Sequence, residues 1–90
     1  MNIPKIQNMQ SSNGNDVPNQ FIISINGKGT YFQSYDSMIA AKTPEGTVLD
    51  QTYWNYSTTT GKYRNQFLGE NIAATRAKIK SGEYKLVDLN

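Results

Sequence analysis

Phe21-Ile22-Ile23-Ser24-Ile25-Asn26-Gly27-Lys28-Gly29-Thr30-Tyr31-Phe32-Gln33-Ser34-Tyr35 decides the fold. The first five residues are aromatic or β-branched apart from Ser24, the composition of a strand. Asn26-Gly27-Lys28-Gly29 supplies the positive-φ positions of a tight turn. Thr30–Tyr35 reads as the returning strand. By alternation Tyr31 and Tyr35 share one face and Phe32 takes the other, where it is the better core residue.

Working toward the C-terminus, Ser37–Lys42 reads as a third strand, Thr43-Pro44-Glu45-Gly46 as a turn and Thr47–Asp50 as a fourth strand. A short helix capped by Asp36 is the alternative for the third piece; the strand is preferred because it completes a β-meander from local connections. The period then changes. Ser57 is a good N-cap, Tyr56, Thr60, Tyr63 and Phe67 recur at helical spacing, and Gly69 sits where such a helix ends. Gly61 and three threonines weaken this helix, so it needs the sheet beneath it. Asn71 caps a second helix running from Ile72 to about Lys80, Gly82 stops it, and Tyr84–Leu89 reads as a last strand. The expected class is α+β: a small, mainly antiparallel sheet made of an N-terminal meander and a C-terminal strand, packed with one or two helices.

Toward the N-terminus, residues 1–20 are rich in Asn, Gln and Ser and show no period. They read as a flexible arm with a short ordered piece around Ile3, Ile6 and Met9, leaving residues 21–90 as the single domain.

The 90 residues suffice for one domain with a thin core, so a homodimer would be a natural way to bury more surface. There is no Cys and no His, which removes disulfides, the usual zinc sites, thiol nucleophiles and every imidazole triad. No apolar run approaches a membrane span and no signal-peptide core follows Met1. These points lead to the expectation of a cytoplasmic protein that is not an enzyme, with no catalytic residue, cofactor or metal. The net charge of +2 permits nucleic-acid contact without demanding it.

The residues Tyr31-Phe32-Gln33-Ser34-Tyr35, Trp54-Asn55-Tyr56-Ser57 and Thr59-Thr60-Gly61-Lys62-Tyr63-Arg64-Asn65-Gln66-Phe67-Leu68-Gly69 form a distinctive set. They resemble the central signature of a family of short, uncharacterised proteins carried by phages, prophages and plasmids of Gram-positive bacteria. The resemblance runs from about Phe21 onward. It implies a mobile-element setting inside a bacterial host, where small accessory proteins often inhibit host defence, anti-CRISPR proteins among them.

Candidate contact residues follow from chemistry. The segment from Tyr53 to Arg64 interleaves the rings of Tyr53, Trp54, Tyr56 and Tyr63 with the cations Lys62 and Arg64, a pattern suited to stacking on bases or filling a partner's pocket. Against this, Trp54 can simply fill the core, while Lys62 and Arg64 should point away from the packed stripe. Arg76 and Lys80, four apart, share a helix face with Lys78 and Lys85 nearby; a solvated face is the bland alternative. Tyr31 and Tyr35 complete the set as an aromatic surface. Glu83-Tyr84-Lys85 imitates half of a metal-dependent nuclease site, with Asp50 or Asp36 as its missing acid, but two helices intervene where a hairpin is usual. The expected function is therefore macromolecular binding, as an inhibitor of a host defence nuclease or its ribonucleoprotein complex. A small nucleic-acid-binding regulatory protein is the alternative.

Overall fold

The computed structural model describes residues 3–90. Along the chain lie β1 (Lys5–Gln10), β2 (Asp16–Ile25), β3 (Gly29–Ser34), β4 (Ser37–Thr43), β5 (Gly46–Asp50), α1 (Thr58–Leu68), α2 (Ile72–Ser81) and β6 (Lys85–Val87). All six strands form one sheet in chain order; every pair is antiparallel except β5–β6, which is parallel. Two helices on one face of a mostly antiparallel sheet make this a small α+β fold, as expected. No helix among the described residues is long and apolar enough to cross a membrane.

The helices are bounded by side-chain chemistry. Ser57 Oγ accepts the Thr60 N–H at 3.1 Å and Asn71 Oδ1 accepts the Ala74 N–H at 2.9 Å. Gly69 and Gly82 close the two helices. Thr60, Tyr63, Arg64 and Phe67 form the buried stripe of α1, at the i, i+3, i+4, i+7 spacing of one helix face. Phe67 meets Phe32 of β3 with ring centroids 5.8 Å apart. Around them Ile39, Ala40, Leu49, Tyr63, Tyr84 and Met9 complete the core. Burying one such ring stabilises the fold by about 1.5–3 kcal/mol. Thr60 Oγ1 and Ser34 Oγ, 2.9 Å apart, satisfy each other beneath α1.

Residues 37–42 lie in a strand and not in a helix capped by Asp36. A bulge opposite Phe32 and Gln33 lets both Ile39 and Ala40 enter the core. The expected N-terminal arm is corrected. Lys5–Gln10 pairs with Ser24–Phe21 and then Asp16 as an antiparallel strand, and Met9 is buried. Its side chains are mostly polar and exposed, so an edge strand held by backbone hydrogen bonds leaves no apolar alternation to read. Residues 1 and 2 of that arm lie outside the described residues.

Candidate functional site

The loop between β5 and α1 carries the aromatic residues, and Asp50 sets its course. Asp50 is buried at the end of β5. Its Oδ2 accepts the N–H of Thr52 at 3.0 Å and of Tyr53 at 2.8 Å, while Oδ1 accepts the N–H of Leu89 at 2.8 Å. Burial pushes the carboxyl up, but hydrogen bonds from Leu89, Tyr53, the Asn90 side chain and Thr52 together hold it below its ordinary value. One carboxylate thus ties the loop and the C-terminal segment to the sheet.

The loop is then fixed to α1 by Arg64. Its Nη1 donates to the Trp54 carbonyl and to Asn55 Oδ1, both at 2.9 Å, and Nη2 donates to Asn65 Oδ1 at 2.9 Å. The guanidinium lies 5.3 Å from the Trp54 ring centroid, within cation–π range. Arg64 is only 1% exposed. Burial, with the nearby Arg76 charge, pushes it below its ordinary value, and Glu70 works the other way. A guanidinium nevertheless stays cationic, and among the described residues Arg64 makes no ion pair. The Arg76 guanidinium also sits 5.9 Å from the same Trp54 ring. Trp54 is therefore within cation–π range of two cations, one buried and one exposed.

Beside this stack runs a groove lined by Asn55, Tyr56, Thr58, Gly61, Lys62 and Ile72. Arg64 and Asn65 form its floor, and the first turn of α1 opens into it with no acidic residue there. The helix end thus adds its partial positive charge to Lys62 and Arg64. Tyr56 is 45% exposed at the rim and makes an edge contact with Tyr53, centroids 5.5 Å apart.

The sequence-derived candidates separate. Lys62 and Arg64 line the groove, while Tyr53 and Trp54 pack against the core behind it, Tyr53 touching Tyr56 and Trp54 within reach of Arg64 and Arg76. Lys80 is exposed farther along α2. Tyr31 lies half-buried on the sheet face away from the helices. Tyr35 is 48% exposed in the turn after β3, with φ 55°. The expectation that Arg64 points outward is corrected: it stands four residues after Thr60 and three before Phe67, on the packed stripe. Lys78 is committed to structure, since its Nζ bonds Glu70 Oε1 at 2.7 Å. Glu70 also accepts from Thr75 and Tyr84, at 2.6 and 3.0 Å, clamping α2 and the approach to β6 onto the turn after α1. In the Glu83-Tyr84-Lys85 pattern, Glu83 is exposed and faces Lys78 at 4.0 Å. Among the described residues no three acids, His or Cys form a cluster able to hold a metal. Tyr56, one of the rings in the Tyr53–Arg64 segment, lines the groove as well. Asn55 and Gly61 are groove residues that the sequence pattern does not single out for contact; the helix-weakening glycine at position 61 is the available signal.

Arg64→Ala is expected to lower stability by about 2 kcal/mol, through the orphaned Trp54 carbonyl and the lost packing. The emission of Trp54 should shift to the red as its ring gains water. An unchanged melting curve with unchanged emission would show that the stack does not hold the loop.

A family model described as a family of unknown function (DUF8033) matches residues 4–84. No curated protein and no solved structure matches the chain.

Proposed function

The chain belongs to the DUF8033 family, whose function is unknown, and from that premise we propose that it acts by binding another macromolecule rather than by turnover. The observation that supports this reading is the cluster of Arg64, Trp54 and Arg76 next to a groove that Lys62 and Arg64 line and into which α1 opens its positive end. Such a site presents rings and cations to an acidic surface. Catalytic machinery is meagre by comparison: the chain has no His or Cys, and the Asp50 and Glu70 carboxylates are engaged in holding the fold.

The partner we propose is an acidic patch on a bacterial host protein. The sequence resemblance to phage, prophage and plasmid proteins favours a defence nuclease, which makes the protein an inhibitor of the anti-CRISPR type. With a net charge of +2 it would not act as a global acidic mimic of DNA. It would seat a cationic groove on the nuclease or its ribonucleoprotein complex.

Lys62→Glu combined with Arg76→Glu tests the groove, because both side chains are exposed. Affinity for a host protein captured by the wild type and identified by mass spectrometry should fall by roughly a hundredfold, with the folded state verified by circular dichroism at the assay temperature. Undiminished affinity would overturn the cationic-groove reading. The exposed Tyr56 ring favours one second reading, stacking on a nucleic acid. Retardation of single-stranded or duplex DNA, relieved steeply by salt, would support it; no shift at low salt would reject it.

A further inference from the structure

Strand β2 is apolar on the wrong side for a two-layer fold. Its partner register puts Gln20, Ile22 and Ser24 on the face that holds Phe32 and Ser34, the face covered by α1. Phe21, Ile23 and Ile25 therefore point to the opposite face, where neither helix packs. Continuing across the sheet, Ile23 is followed by Tyr31, Ala41 and Val48 in one cross-strand row. An antiparallel sheet with one face in water alternates apolar and polar residues. Here the bare face of the central strands is the more apolar one, and Phe21, Ile23, Ile25, Tyr31 and Val48 all remain partly exposed.

The molecule's shape agrees. It measures 33 × 33 × 20 Å, and the short dimension suits one helix layer and one sheet layer of roughly 10 Å each. One broad face of this plate is thus bare sheet.

We propose that this face is the interface of a homodimer, with the sheet of a second copy packed against it. Area allows a copy as occupant: the outline of the broad side, a disc 33 Å across, covers roughly 850 Å², room for the ~800 Å² per partner of a standard stable interface. Charge supports it too. The row from Ile6 to Val48 carries no ionised group, and Lys85 enters only on the short outer strand β6. Two identical faces therefore meet without like-charge opposition, whereas an oppositely charged partner would find little to recognise. A thin single-sided core gains most from such burial. The helices and the groove beside Trp54 remain outside, so the dimer would present two grooves, and its existence does not depend on what they bind.

Sedimentation equilibrium of the full chain should give twice the 10.1 kDa mass of one chain, dissociating on dilution. Ile23→Lys, with helical and strand content verified by circular dichroism, should weaken association by roughly a hundredfold or more, because the ammonium would be buried unpaired. In a mixture of isotope-labelled and unlabelled wild-type chains, filtered nuclear Overhauser effects should connect Ile23 and Tyr31 side chains of different copies. This second measurement needs no variant to fold. A wild type that stays monomeric at the highest soluble concentration overturns the proposal, even if another protein is later found on this face. So does a dimer that Ile23→Lys leaves intact, or one without contacts between copies at Ile23 and Tyr31.

Discussion

Gly29→Ala is expected to destabilise the protein by roughly 4 kcal/mol, enough to leave a domain of this size barely folded. Gly29 opens β3 with φ 128°, a conformation that L side chains rarely adopt. A Cβ there would run into the backbone carbonyl oxygen of Lys42, with the Lys42 carbonyl carbon and Thr43 Cα each 3.1 Å away. Those atoms belong to β4, so relief requires prising two paired strands apart. Gly46 supplies the control. It opens β5 with nearly the same φ, 127°, yet a Cβ there meets nothing within 4 Å. Gly46→Ala should therefore show the conformational cost alone, about 1–2 kcal/mol. The difference between the two variants, read from urea unfolding midpoints, measures the close approach of β3 to β4. Equal losses would show that the strands yield freely.

Asp50→Ala should cost about 3 kcal/mol, lowering the melting temperature by roughly 12–24 °C for a domain of this length. Three backbone N–H groups, from Thr52, Tyr53 and Leu89, lose their acceptor at once. The same residue sets a pH dependence. The folded carboxyl lies below its ordinary value of 3.8. Its stabilisation is therefore fully present above the unfolded value and is lost as pH falls through the lower folded one. Asp50→Asn, which keeps one acceptor oxygen without the charge, should flatten the acid limb of the stability profile. A profile identical to wild type below the carboxylate range would show that the clamp works without its charge.

The hairpin, the meander and both helices are legible because each depends on a local signal. Phe21–Ile25 and Thr30–Ser34 carry strand-forming residues around a glycine turn, Ser57 and Asn71 cap, and Gly69 and Gly82 stop. Strand β1 is not legible that way. Lys5–Gln10 owes its place to backbone pairing with an already formed β2, and pairing of that kind leaves no trace in side-chain pattern. The groove was half legible. The cluster of Tyr53, Trp54, Lys62 and Arg64 is visible as composition, and the helical period itself places Arg64 with Thr60, Tyr63 and Phe67. What the period could not supply was the reason a cation tolerates that face: the Trp54 carbonyl and two Asn side chains waiting for it. Tyr31 and Tyr35 separate because Tyr35 lies beyond the end of β3, where alternation no longer applies.

The order of the strands in the sheet also bears on how the chain finds its shape. Four of the five pairings join sequence neighbours through short turns, so each can close quickly and with little loss of chain entropy. The fifth, between β5 and the three-residue β6, must wait until both helices have docked, since the whole helical segment lies between its strands. The meander is thus the natural nucleus, and the last strand is the natural first point of fraying. During synthesis the sheet can be nearly complete before the residues that close it have been made.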